Sequence, residues 1–408
     1  MRLPSVGALF GLGGLPLHTQ RGLVVAFSTS IAAVMGVQLV FPVLPPMMQQ
    51  LGVSESAIGL VVSVYTIPMI FLAPLAGAIA DLHGRRPLLV GGMLLFGLAG
   101  AAVSFAPSFE WVIALRALQG VGATAILPLT IVLLSDLVSG HQESGAQGMK
   151  VFLDRIGIFA IPLLAGILAV VSWRLPFLLF ALSVPVAFLG LAWLPETRPQ
   201  EQTSLRTYLG GFTSIGRRPR LIIAFSAGFL RFFLDYGYFT YLPIYLALAR
   251  GDSPATVGLL FGFFAAGAMI TATQVGRLVR GHEVTNIVFV GFVLAGVSVL
   301  VIPLLPHTLL VGLSLFVYGL GNGLISPLQK SLLTQNAPAD VRAGVVSLDR
   351  VVQQVAKSLA PGAMGLLLVV ADVTAVFWTL GALSLASVVL AAVLLGAWGR
   401  VHEPAAAA

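Results

Sequence analysis

Apolar runs long enough to cross a bilayer recur along this chain. They lie at roughly 23–44, 57–79, 87–106, 110–135, 148–171 and 175–194, and again at 220–247, 255–275, 285–304, 308–330, 345–370 and 373–397. A hydrocarbon core of about 30 Å needs about 20 apolar residues per helix. Within it, backbone N–H and C=O groups must be bonded internally, which leaves helices or a closed barrel. Twelve such runs joined by short polar connections specify an all-α membrane protein. The chain is 58% hydrophobic and 9% charged, against about 25% charged in soluble domains, so a water-soluble globular fold is excluded.

The connections carry most of the charge. Of the 22 Lys and Arg, only Arg174 and Arg250 fall in loops of one parity, and Arg116, Arg155, Arg231, Arg350 and Lys357 fall inside spans. The remainder, Lys150 among them, gather in the other loops and at the ends, which places both termini in the cytoplasm. The net charge of +7 then reports topology, and nucleic-acid binding is not expected. Trp111, Trp173, Trp193, Trp378 and Trp398 all fall near predicted helix ends, the positions of an interfacial aromatic belt. The expected organisation is a cytoplasmic lead at 1–22, six helices at 23–197, a linker at 198–219, six more at 220–398 and a tail at 399–408. The absence of cysteine excludes disulfides, thiol chemistry and Cys-ligated metals, and no His or carboxylate cluster has metal-ligand spacing.

The loop between the second and third spans, GAIADLHGRRP, packs an acidic and two basic residues into a tight connection. Gly77 permits close helix approach, and Gly84 permits the turn. Asp81 suits a facing helix N-terminus, expected to be that of span 11. Arg85 or Arg86 can reach Asp136 at the cytoplasmic end of span 4, closing a charge network that latches the outward-facing state. Gly77, Asp81, Gly84, Arg85 and Arg86 match the G-x-x-x-D-x-x-G-R-[RK] signature, and on it the chain resembles the major facilitator superfamily.

Further motifs are similar to the drug:proton antiporter branch of that family. Met35-Gly36 precedes Pro42-Val43-Leu44-Pro45 in span 1, and Arg116-Ala-Leu-Gln119-Gly120-Val-Gly122 stands in span 4. Span 5 departs from the exporter pattern, with Ile161-Pro162-Leu163-Leu164-Ala165-Gly166 where a G-P-x-x-G-G run is usual. The resemblance implies twelve transmembrane helices in two pseudo-symmetric six-helix bundles with the substrate held between them. Internal echoes agree with a duplication: Leu153-Asp154-Arg155 recurs as Leu348-Asp349-Arg350, and Gly276–Glu283 is a degraded copy of the first basic loop.

Ionisable residues inside spans are costly, at least ~2.5–3.5 kcal/mol each on insertion scales, so several of them imply a polar interior. They sit on spans 4, 5, 7 and 11. Arg231 and Asp235 are four apart on span 7 and share a face. Asp349, Gln353 and Lys357 form a row on span 11, with Arg350 and Gln354 beside it. Asp235 is the leading proton-coupling candidate, because burial and Arg231 act on it in opposite senses; the alternative is a fixed ion pair. Asp154 with Arg155 and Asp349 with Arg350 lie nearer the cytoplasmic surface and form either a gate, by pairing across the pseudo-twofold, or static helix locks. The resemblance links Arg116 with proton coupling, the alternative being a buried tie to carbonyls or to Asp154. Gln38, Gln119, Phe232, Tyr236, Phe239, Gln353 and Gln354 are expected to line the substrate cavity.

The expected function is proton-coupled efflux of hydrophobic or amphiphilic small molecules by a monomeric antiporter in the inner membrane. Its energy source is the proton gradient, with no cofactor and no bound metal. A lipid or glycolipid flippase, a sugar or metabolite carrier and a non-transporting receptor remain open. An enzyme is not expected, since no nucleophile, metal or phosphate-loop constellation is visible.

Overall fold

The computed structural model describes residues 14–196, 219–337 and 342–402. Side chains at 74–79, 81–83, 127, 219–220, 343 and 394–402 fall outside the description. Those of Gly77, Asp81 and Trp398 are therefore outside it, as is almost all of the expected linker. What is described is almost entirely helical. The helices are α1 (Leu17–Gln38), α2 (Leu60–His83), α3 (Arg85–Ala102), α4 (Phe109–Leu137), α5 (His141–Val171), α6 (Ser183–Trp193), α7 (Pro219–Arg250), α8 (Pro254–Leu278), α9 (Val284–Val301), α10 (Thr308–Asn336), α11 (Arg342–Leu367) and α12 (Val373–His402). Short helical turns extend α1 to Leu51 and lead into α6 from Leu175.

Among the described residues, eleven helical stretches are long and apolar enough to cross a membrane. The helix not among them is α11, which has 26 residues but carries Asp349, Arg350, Gln353, Gln354 and Lys357. Large apolar side chains such as Phe71, Leu98, Val170, Val290 and Leu390 are exposed, as suits helices whose outer faces meet lipid. The chain divides into two compact units, Met1–Gln202 with Leu246–Gly262, and Thr203–Tyr245 with Phe263–Ala408.

Three local expectations need correction. The expected lead at 1–22 is partly helical, because Pro16 stands at the N-cap of α1 and Arg21 lies along the helix with its guanidinium over the Trp193 ring at 5.6 Å. Lys150, assigned to a loop, is buried within α5, which begins at His141. Trp173, assigned to the belt, is fully buried and meets Phe177 edge to face; Trp111 and Trp378 are exposed.

Both units share one packing device. A β-carbon at Gly92 would lie 2.8 Å from the Gly122 carbonyl oxygen, and one at Gly122 would lie 2.7 Å from that of Gly92, so α3 and α4 cross backbone to backbone. Gly291 and Gly321 repeat this reciprocal contact between α9 and α10, at the same sequence interval. Gly120 abuts the Tyr65 carbonyl on α2, and Gly319 abuts that of Phe264 on α8, again at matching intervals. Pro128 and Pro327 occupy the same register in α4 and α10. Counted from these glycines, Asp235 in α7 stands where Gly36 stands in α1, and Tyr318 stands where Gln119 stands. The duplication is therefore written in the contacts themselves.

Candidate functional site

The carboxylate of Asp235, 6% exposed, is buried within the second unit. Its Oδ1 accepts hydrogen bonds from the Tyr318 hydroxyl and from Asn322 Nδ2, each at 2.7 Å. Its Oδ2 lies 3.8 Å from Arg231 Nε, one helical turn back on α7. Arg231 Nε donates to Asn322 Oδ1 at 3.3 Å, so Asn322 bridges the pair with both ends of its amide. Two neutral donors and one cation thus surround a single buried negative charge. Helical spacing makes this possible: Tyr318 and Asn322 are four apart on α10 and present one face.

A half-buried rim adjoins this core. The guanidinium of Arg231 lies 4.5 Å from the centre of the Phe232 ring, and Lys357 Nζ lies 4.5 Å from the same ring and 5.7 Å from that of Tyr236. Lys357 Nζ also donates to Gln354 Oε1 at 2.7 Å. Farther along α11, Asp349 accepts from Gln329 Nε2 at 3.0 Å and from Gln353 Nε2 at 2.5 Å. Asp349 is buried whereas its neighbour Arg350 is exposed, so glutamine amides rather than Arg350 complement the carboxylate.

In the first unit the central buried charge is positive. Arg116 is fully buried and donates from Nε to the Val61 carbonyl at 3.1 Å, from Nη1 to Gln119 Oε1 at 2.6 Å, and from Nη2 to the Gly36 carbonyl at 3.0 Å. Its guanidinium lies 4.2 Å from the centre of the Tyr65 ring. One side chain so joins α1, α2 and α4. Asp154 is not its partner: that carboxylate accepts from the Ser30 hydroxyl at 2.5 Å and pairs with Lys150 Nζ at 2.7 Å. Lys150, one turn back on α5, reaches Asp154 because it shares the buried face. Near the α2–α3 turn, Arg85 Nη1 lies 2.5 Å from Asp136 Oδ2, and Arg86 donates to the Leu191 carbonyl. Gly84, between α2 and α3, has φ 97°, a conformation that L side chains rarely adopt.

The expected cavity residues separate into two sets. Gln38, Phe232, Tyr236, Gln353 and Gln354 are half-buried. Gln119 and Phe239 are buried, the first because its oxygen is spent on Arg116, the second because it packs against Phe264 and Tyr318. Tyr65, Tyr318, Asn322, Gln329, Ser30 and Lys150 did not emerge from the sequence as site residues. For Tyr318, Asn322 and Gln329 a signal was present: three polar side chains at helical spacing on one face of an otherwise apolar span.

Residues 26–361 match the family model for the Major Facilitator Superfamily. This chain belongs to that superfamily. Its members are membrane transporters rather than enzymes, and with eleven candidate spans the chain is an integral membrane protein. It is 29% identical over 206 residues to Multidrug resistance protein 1 of Bacillus subtilis, covering 50% of this chain and 52% of that one. It is 29% identical over 164 residues to the Bacillibactin exporter of Bacillus subtilis, covering 38% and 41%. Quinolone resistance protein NorA of Staphylococcus aureus is 28% identical over 143 residues, covering 35% and 37%. The chain thus spans about half or less of the length of these curated relatives. Among solved structures, the nucleoside transporter NupG, as a point mutant, superposes with a TM-score of 0.79 at 13% identity, covering 92% of this chain and 99% of that one. A bacterial homologue of the human lysosomal transporter Spinster gives 0.75 at 14%, covering 94% and 95%. These likenesses show the fold.

Proposed function

We propose that this member of the superfamily is a secondary active transporter that exports hydrophobic or amphiphilic small molecules in exchange for protons, by alternating access. It acts as a monomer in the inner membrane with both termini in the cytoplasm. One relative named as an exporter and two named for multidrug or quinolone resistance support the direction and the broad substrate class. The single observation that carries the reading is the arrangement around Asp235, a buried carboxylate with two neutral donors on one oxygen and a cation facing the other.

That arrangement suits a carboxylate that exchanges a proton. In the charged form Oδ1 keeps its two hydrogen bonds while Oδ2 attracts Arg231. Protonation at Oδ2 would place a donor opposite a donor, cancel the attraction and leave Arg231 held by Asn322 and the Phe232 ring. The freed cation would then need another counter-charge, which links proton binding to the polar contents of the site. Membrane potential contributes about 2.3 kcal/mol per charge moved through 100 mV. Asp154 and Asp349, already enclosed by Ser30 with Lys150 and by two glutamines, are assigned a lesser part in coupling. The test is flux of a fluorescent lipophilic reporter in proteoliposomes under an imposed pH gradient. Asp235→Asn should abolish gradient-driven flux while leaving downhill exchange, and undiminished gradient-driven flux in that variant would eliminate the assignment.

A further inference from the structure

The charges around the rim of the second unit do not balance. Arg231 and Lys357 both pack on Phe232, and among the described residues the carboxylates in electrostatic reach of both are Asp235 and Asp349, with Lys330 a further cation nearby. Asp235 Oδ1 already accepts from Tyr318 and Asn322, and the 3.8 Å separation of Oδ2 from Arg231 Nε exceeds hydrogen-bond length. Apart from the Nε contacts, Arg231 has no hydrogen-bond partner among the described residues, so its two terminal nitrogens are uncommitted. Lys357 has one hydrogen bond, to the neutral Gln354, and no ion pair among the described residues. Asp349, the acidic residue two turns back on α11, is occupied by Gln329 and Gln353.

Arg231, Lys357 and Lys330 thus stand against the two engaged carboxylates Asp235 and Asp349, a costly excess of positive charge inside a membrane-spanning bundle. Ring faces lessen that cost without supplying a counter-charge. Arg231 and Lys357 are half-buried, as are Phe232, Tyr236, Gln353 and Gln354, so a ligand can reach them. The neighbouring rings, with centroids 6.5 Å apart and planes inclined by 62°, offer an apolar wall beside the charges.

We propose that Arg231 and Lys357 bind the anionic group of the substrate, a carboxylate or sulfonate on an aromatic or amphiphilic body that rests against Phe232 and Tyr236. The guanidinium presents its unused N–H groups to the two oxygens, and the ammonium supplies the second positive charge. The role of this anion as cargo rests on the transport reading above; its binding does not. Proton binding at Asp235 would strengthen the site by releasing Arg231 wholly to the ligand, giving cargo and proton a shared partner.

The test uses the full chain in nanodiscs of neutral phosphatidylcholine, with empty nanodiscs subtracted. The probes are 2-naphthalenesulfonate and its neutral near-isostere 2-naphthalenesulfonamide, with calorimetry as the readout. The sulfonate should bind at least about tenfold more tightly, and Lys357→Gln should remove about tenfold of its affinity while leaving the sulfonamide within about twofold. Lys357→Arg, which keeps the charge, should retain sulfonate binding, and Asp235→Asn should strengthen it. Equal affinity for the two probes, no saturable sulfonate binding, or a Lys357→Gln variant that loses both probes alike would overturn the assignment. Sulfonate binding without gradient-driven flux in proteoliposomes would remove the transport reading and leave the site standing. Flux of a neutral lipophile that the sulfonate cannot compete with would do the reverse.

Discussion

Substituting lysine for Arg116 keeps the positive charge and removes the fork. In the native protein three nitrogens reach three acceptors, the Val61 and Gly36 carbonyls and Gln119 Oε1, at 2.6–3.1 Å. A single ammonium cannot occupy all three positions. Interhelical hydrogen bonds in membranes contribute about 0.6 kcal/mol on average and up to about 1.7 each. Losing two of the three therefore costs about 1–3 kcal/mol, while the contact with the Tyr65 ring survives because lysine is also a cation. The assay is reversible unfolding in mixed micelles with increasing dodecyl sulfate, read by circular dichroism, for wild type, Arg116→Lys, Gln119→Leu and the double variant. The double-mutant cycle should show that Gln119→Leu costs less once Arg116 is lysine, since the bond it removes is already weakened. A lysine variant within about 0.5 kcal/mol of wild type, with no coupling in the cycle, would refute the view of Arg116 as the tie between α1, α2 and α4.

Three more outcomes follow from the geometry. A β-carbon at Gly36 would fall on the Tyr65 hydroxyl, so Gly36→Ala should destabilise the fold by roughly 1–3 kcal/mol, and adding Tyr65→Phe should restore part of it; no recovery in the same unfolding assay would contradict the contact. Gly91 faces open space whereas Gly92 faces the Gly122 carbonyl, so Gly91→Ala should leave the thermal transition within a few degrees and Gly92→Ala should lower it clearly; equal behaviour of these neighbours would be the contrary result. Because the chain contains no cysteine, Ser139→Cys and Ser253→Cys each introduce a lone thiol at an exposed position. An impermeant maleimide should label the residue 253 thiol in right-side-out vesicles and the residue 139 thiol in inside-out ones, and the opposite pattern would invert the topology derived from charge.

Hydropathy made the helices legible, because a bilayer leaves so few ways to satisfy a backbone. The boundaries were less so: α5 extends past the apolar run to His141, since a helix in contact with protein and water need not stop where apolarity stops. The same extension concealed Lys150, which reads as a loop cation until its turn is seen to share the buried face with Asp154. Charged members of the candidate site, Arg231, Asp235, Asp349 and Lys357, stood out because ionisable residues inside spans are rare. Their neutral partners did not. Tyr318, Asn322 and Gln329 have ordinary side chains whose significance depends on facing α7 and α11, and the sequence of α10 does not state that direction.

The reciprocal glycine crossings have a consequence for how the two halves could drift apart. A seam made of main chain against main chain is indifferent to the chemistry of every other face, so it holds its register while the surrounding side chains are rewritten. At corresponding junctions, one half has come to enclose an arginine that ties three helices and the other a carboxylate set beside an unbalanced pair of cations. A matching frame of glycines thus carries opposite buried charge in the two halves of this one chain.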